Sequence, residues 1–446
     1  MRVRVIVVLI ALLGVTLGLS SCSPPAAPLP TAPAATALPA PTTTVVVPAS
    51  WSVPVAPGAS CPTAGPPATT FGQAQWDSFL ANLAVQANLA NPTHATLTGL
   101  RIEFPVGCYY VDSPVYLDAN HPLVDTVIDG GYTGNPANSP QFVQTTVPDC
   151  ATGPSMLTVQ NAASWRLQLT GLTVQGSAPA TPPYCGSDPG GIAVAGPAGS
   201  TGPHDVSIVG NSIHNTWGDN LYVGIVDHLL ADGNTLRVAG RQSMSVVAGH
   251  DITVTHNTLE YADGPAFTIE TNEGSDNVSR VLIDSNAASY ANAAGTDAGK
   301  LNGALWNATA AVGTTVSDVM FKNNTSKSAL IMWERVGMSS SGAGAMHRVA
   351  FVSNTTTSNA GMVFLFAGDN ITVTGNKVLS GPAVALGNWT DNPVTMYAAI
   401  PTKSPTVVCG TASGNTYVNS TGSTLPWRVA SHNGTLTAFG YSMPAC

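Results

Sequence analysis

The sequence predicts an all-β solenoid, a chain wound into short stacked coils. Three observations carry that expectation: a phrase that returns every 23 residues, strand-like alternation inside it, and an asparagine at a fixed place in each copy. The clearest copies are "VSIVGNSIHNTWGDNLYVG", "LLADGNTLRVAGRQSMSVV" and "ITVTHNTLEYADGPAFTIE", which hold Asn211, Asn234 and Asn257. Aligned, they place Val206, Leu229 and Ile252 in one column, and Ile208, Ala231 and Val254 in another. Further columns are Ile213, Leu236 and Leu259; Leu221, Met244 and Phe267; and Val223, Val246 and Ile269. Along one strand such columns lie two residues apart, the strand period. A coil of this kind buries its apolar columns only by stacking on neighbours about 4.8 Å away.

The asparagines fall at a corner between strands. Stacked in register, their amides hydrogen-bond up and down the column and satisfy groups that the turn would strand, so the ladder is structural. The phrase continues at Asn286, Asn324, Asn354, Asn376 and Asn415, with insertions expected at about 287–304 and 335–347. Upstream, "LRIEFPVGCYYVDSPVYL" reads as the first coils, which places the coils over about 95–420. Before them Trp76, Phe79, Leu80, Leu83 and Ala87 fall on one helical face. An amphipathic helix over about 73–90 is expected to cover the open end of the solenoid, whose bare edge would otherwise invite aggregation.

From about residue 95 to 420 the chain resembles the right-handed parallel β-helix proteins of the pectate-lyase-like superfamily. The likeness rests on the ladder, the coil length and "IEFPVGCYYV", which matches that family's hydrophobic-Pro-x-Gly-x-Tyr opening. It implies a single right-handed parallel β-helix within residues 61–446. It implies no particular chemistry, because the superfamily holds lyases, hydrolases, epimerases and non-catalytic adhesins.

The N-terminus suggests export. Arg2 and Arg4 precede an apolar run from Val5 to Leu19 that is short for a membrane span, and Leu19-Ser20-Ser21-Cys22 resembles the bacterial lipobox. The resemblance implies a signal peptide over 1–21 and a lipid on Cys22, so that the membrane is met through that lipid only. Residues 22–60, rich in Pro, Ala and Thr, are expected to be a disordered tether. Six further cysteines (Cys61, Cys108, Cys150, Cys185, Cys409 and Cys446) favour disulfides outside the cytoplasm. Proximity in sequence suggests Cys150 with Cys185 and Cys409 with Cys446; fifteen pairings are open. The net charge of −9 argues against a nucleic-acid partner.

Three polar columns are candidates for chemistry. His214, Arg237 and Glu260 read as a surface ion-pair stack. His204, Asp227 and His250, beside Asp205, His228 and Asp251, alternate in sign; they read first as turn residues, with a divalent cation as the minor alternative. The third column is Trp217-Gly218-Asp219-Asn220, Gly240-Arg241-Gln242-Ser243 and Asp263-Gly264-Pro265, in which Arg241 stacks between two glycines. Tyr222, Glu270, Trp306 and Trp333 are expected to line the same groove, as aromatic faces beside carboxylates suit sugar rings. "GRQSMS" followed by "FTIE" also resembles a pattern of bacterial β-helix proteins, Arg-Gln-Gly then Asp-hydrophobic-Glu-Pro. Here Ser243, Thr268 and Thr271 replace its Gly, Asp and Pro.

These residues favour a polysaccharide as partner and glycoside hydrolysis as the reaction, with Asp219 and Asp263 as acid and base and Arg241 stabilising charge. Gln242 orients substrate. At the extended rise, Glu270 is placed some 20 Å from Arg241, as a subsite residue. A uronate lyase using Arg241 and Lys300 comes second. A non-catalytic glycan-binding rod is the third reading. No organic cofactor is implied.

Overall fold

A computed structural model describes residues 40–56, 59–62, 71–131, 138–146, 155–178, 190–197, 199–262, 264–272, 276–289, 306–310, 313–326, 345–356, 363–365, 368–379, 394–399, 408–418, 424–426, 428–432 and 436–440. The expected signal segment, Cys22, the inserted loops and Cys150, Cys185 and Cys446 lie outside these residues.

The chain forms a right-handed parallel β-helix. Its coils build three long sheets of thirteen, twelve and seven strands, in each of which spatial order follows chain order. One coil runs from His204–Val209 in the first sheet, through Ser212–Thr216 in the second, to Leu221–Val223 in the third. The register is the one the repeat predicts: Val206 pairs with Leu229 and then Ile252, and Leu221 with Met244 and then Phe267. All six are buried, so the inward columns form one continuous core.

From Asn211 to Asn415, the corners between the first and second sheets join a left-handed residue to an asparagine. Gly210, Gly233, His256, Ser285, Asn323, Ser353, Gly375 and Gly414 all have φ between 52° and 66°. Glycine takes this conformation freely, while His256 and Ser285 hold it at a cost that the following asparagine offsets. Asn257 Nδ2 donates to Ala231 O and to Asn286 Oδ1, both at 2.9 Å, while its Oδ1 accepts from the backbone N and Nδ2 of Asn234, both at 2.9 Å. The same pattern links Asn211 through to Asn415, all of them buried.

The N-terminal end is closed by the helix Gln73–Gln86, four residues shorter than expected. Trp76, Leu80 and Ala84 face the core and Phe79 and Leu83 pack at its margin, while Ala87 has turned to solvent. The helix also finishes the sheet chemically. Gln73 Oε1 accepts from Tyr116 N at 2.6 Å and its Nε2 donates to Tyr116 O at 3.1 Å, so the side-chain amide stands in for a missing strand.

Two findings differ from the sequence reading. The tether expected through residue 60 includes a strand, Thr43–Val46, which pairs in parallel with Leu100–Glu103. Its Thr and Val residues are β-branched, and they add one strand to an edge that would otherwise be bare. The disulfide among the described residues joins Cys61 to Cys108, a pairing that sequence proximity did not single out. Residues 52–53 pass over the opening phrase, and a Cβ on Gly107 would come within 2.7 Å of Ser52 Oγ. That close approach is why the phrase needs its glycine.

Replacing Asn257 by alanine strands two donors of Asn234 and the carbonyl of Ala231. At about 1–3 kcal/mol per unpaired buried group, with partial relaxation, a loss of about 2–4 kcal/mol is expected, read from the midpoint of urea unfolding.

Candidate functional site

The third polar column sits where each coil turns from the second sheet into the third. Here the backbone stacks closely: Arg241 N donates to Gly218 O at 3.3 Å and Gly264 N donates to Arg241 O at 2.6 Å. A Cβ on Gly264 would lie 2.8 Å from Arg241 O. This glycine therefore makes room for the neighbouring coil.

Asp219 lies beneath this turn. Its Oδ1 accepts from Gln242 N at 3.0 Å and its Oδ2 from Ser245 Oγ at 2.5 Å, with Arg241 Nη1 3.6 Å away. The side chain is only 2% exposed. Burial pushes its carboxyl up to about 6; Arg241 and the two hydrogen bonds oppose that rise and Glu270 adds to it.

Glu270 is the main correction to the expected geometry. Arg241 Nη2 donates to Glu270 Oε2 at 2.7 Å, so the two belong to one cluster and not to separate subsites. The strand between them, Met244–Val246, has three residues, and the chain bends at Gly240–Ser243. Two long side chains close the rest of a gap that a fully extended chain would leave open. Glu270 is 32% exposed and Arg241 19%, which makes Glu270 the more accessible carboxylate of the cluster. Gln242 Nε2 points at Glu270 Oε2 from 3.5 Å, while its buried Oε1 has no hydrogen-bond partner among the described residues. An unpaired buried acceptor is costly unless a ligand or solvent donates to it.

Of the other expected residues, Tyr222 is half-buried and pairs with Ser245, on the same outward column. The backbone of Trp306 pairs in register with Phe267, one coil on, and Asn307 pairs with Thr268. Asp263 and Trp333 lie outside the described residues.

The other two columns are ion-pair structures. Arg237 Nε lies 2.8 Å from Glu260 Oε2, as expected, and burial followed by Arg237 pushes the His214 imidazole down to about 4. In the first sheet, Asp125, Arg166, Asp205, His228, Asp251, Arg280, Asp318 and Arg348 all have φ between 51° and 58°. They form one left-handed column of alternating sign, with Arg166 on Asp125, Arg280 on Asp251 and Arg348 on Asp318. Only three members were visible in the regular repeat.

The sequence matches no family model and no curated protein. Solved structures do match. A mutant form of DFA-IIIase from Arthrobacter chlorophenolicus A6 is 12% identical, over 86% of this chain and 89% of that one, with a TM-score of 0.50. The catalytic unit of the GH87 alpha-1,3-glucanase from Streptomyces thermodiastaticus is 13% identical over 86% and 70%, at 0.47. PfbA, a surface adhesin of Streptococcus pneumoniae, is 10% identical over 84% and 94%, at 0.43. The likeness is one of fold. A shared fold of this kind does not fix a function.

Ser245 is the group in this cluster that sequence reasoning left without a role. Its place between Tyr222 and Thr268 in the outward column was visible, but its bond to Asp219 runs diagonally across coils.

The raised Asp219 pKa sets a pH dependence. The folded state favours the protonated acid, so this contribution to stability is complete below the ordinary carboxylate range and is lost as pH rises through about 6. Asp219→Asn is expected to remove that fall, so wild type loses up to about 3 kcal/mol relative to the variant between pH 4 and 7. His214 acts oppositely, losing stability as pH falls towards about 4. The comparison is therefore made between the two proteins by thermal melting at each pH.

Proposed function

We propose that this is an exported protein, anchored to the cell membrane by a lipid on Cys22, that acts on a polysaccharide laid across the Arg241 turn. Glycoside hydrolysis is the preferred reaction. The observation that carries it is the single guanidinium spanning two unlike carboxyls: Asp219, which keeps its proton up to about pH 6, and Glu270, exposed and paired to Arg241. Hydrolysis needs one carboxyl that holds a proton and one that is ionised, flanking one glycosidic bond, and both contact the same side chain here. The unpaired Gln242 Oε1 is suited to accept from a sugar hydroxyl. Asp263, which lies outside the described residues, is retained from its place in the sequence repeat as a second carboxylate of the site.

Glycan binding without catalysis is the second reading, favoured by one fact. Asp219 is 2% exposed and both its oxygens are engaged, so its proton reaches a glycosidic oxygen only if the turn opens.

Reducing-end release by the full chain across neutral and uronate polysaccharides separates the two readings. Hydrolysis predicts release at mildly acidic pH, reduced at least about a hundredfold in Asp219→Asn and in Glu270→Gln, in the range removal of a general acid or base costs. Retardation of the same polymers in affinity gels without release, weakened in Glu270→Gln, supports binding alone. Neither release nor retardation from folded protein overturns both. Labelled palmitate is expected in the wild-type protein and not in Cys22→Ala; label in both removes the anchor.

A further inference from the structure

The corner that leads into the first sheet holds side chains that the Arg241 site does not use. Asp227 Oδ1 faces His228 Nδ1 at 2.5 Å and His250 Nδ1 at 2.9 Å. His250 Nδ1 also stands 2.9 Å from Asp251 Oδ2 and 2.9 Å from Arg280 Nη2. Two carboxylate oxygens, which accept, and a guanidinium, which only donates, thus converge on one ring nitrogen. With a proton on Nδ1, that N–H opposes the N–H of Arg280. Without one, its lone pair opposes both carboxylates. Arg280 Nη2 itself donates to Asp251 Oδ2 at 2.5 Å, so it and His250 Nδ1 crowd one carboxylate oxygen while Asp227 Oδ1 is left without a hydrogen bond.

A second observation points the same way. Asp227 Oδ1 is screened from solvent, yet takes a well-aligned hydrogen bond from neither imidazole beside it. One ligand atom from each of Asp227, His228 and Asp251 lies within 4.8 Å of the other two. What this arrangement lacks is a positive centre that accepts lone pairs from nitrogen and oxygen together.

We propose that Asp227, His228 and Asp251 bind a divalent ion of the zinc class, with His250 at the margin of the site. Mixed imidazole and carboxylate donors suit zinc and its first-row neighbours, whereas calcium and magnesium favour oxygen shells. The ion takes one donor atom from each of the three, an imidazole nitrogen of His228 and a carboxylate oxygen of Asp227 and of Asp251, and solvent completes its shell. Arg280 donates to both oxygens of Asp251, Nε to Oδ1 at 2.6 Å and Nη2 to Oδ2 at 2.5 Å, so the ion displaces Nη2 from Oδ2 while Nε stays on Oδ1 as an outer support. His228 and His250 are nearly half exposed, at 45% and 43%, so the ion enters from solvent. Asp227 and His250 are in register on adjacent coils and Asp251 follows His250, so the ion staples two coils.

The test uses the untagged full chain, stripped with chelator and titrated with zinc chloride by calorimetry. One saturable ion per chain is expected, with a rise in melting temperature as zinc is added. Asp227→Asn and His228→Gln are each expected to weaken binding by at least about tenfold, following the size of effect that even outer-shell changes have. Cobalt(II) on the unaltered protein is expected to give the intense visible bands of a four-coordinate nitrogen and oxygen site, whether or not the variants fold. Binding unchanged in both variants, octahedral cobalt spectra, or calcium bound as tightly as zinc overturns the proposal.

Discussion

Every feature of this chain depends on the corner at which a left-handed residue meets a buried asparagine. A parallel coil has few ways to turn without leaving backbone groups unpaired, and here the side-chain amide supplies the missing bonds. The amide of each ladder asparagine reaches back to a carbonyl of the preceding coil and forward to the next asparagine, as Asn257 does with Ala231 and Asn286. A slip of one residue would break both bonds and turn the apolar columns outward. Register is thereby locked from Asn211 to Asn415, and residues far apart in sequence become reliable neighbours. Asp219 and Gln242 meet for that reason and no other.

The left-handed column of the first sheet carries a second consequence of stacking. A backbone irregularity repeated in every coil brings one side chain per coil into a single file, and a file of like charges would repel at about 4.8 Å spacing. Alternation of aspartate with arginine removes the repulsion. The pairs are half-exposed on the arginine side in two of three cases, and the alternation above all avoids a penalty. At Asp205, His228 and Asp251 the file holds a histidine where other places hold arginine, and the neighbouring column adds His204, Asp227 and His250. There the balance of donors and acceptors breaks down, and an ion becomes the better partner.

The fold was legible because its cause is periodic. Leu221, Met244 and Phe267 repeat at one interval, and no long-range knowledge is needed to align them. The register of Trp306 with Phe267 was hidden because an insertion precedes it. The Arg241–Glu270 pair was missed because backbone rise is a poor ruler for two long side chains meeting over a bend. The strand Thr43–Val46 lies in a Pro- and Thr-rich segment that resembles linker by composition, while its pairing is decided by an edge far along the chain. Periodic signals survive in one dimension; edges, bends and side-chain reach do not.

The charge balance at Arg241 bears on which polymer the face suits. Below about pH 6 Asp219 is neutral, and Arg241 and Glu270 cancel; above it the three groups carry one net negative charge. In neither state does Arg241 have a charge to spare. An anionic polymer such as a uronate must displace Glu270 from the guanidinium and leave that carboxylate facing another, a like-charge contact in a partly desolvated site. A neutral sugar keeps the ion pair and uses the remaining lone pairs of Glu270 and the unpaired Gln242 Oε1 as acceptors. The physics of the site therefore ranks neutral polysaccharides above acidic ones, and it ranks lyase chemistry, which needs a uronate carboxylate to be neutralised, below hydrolysis or binding.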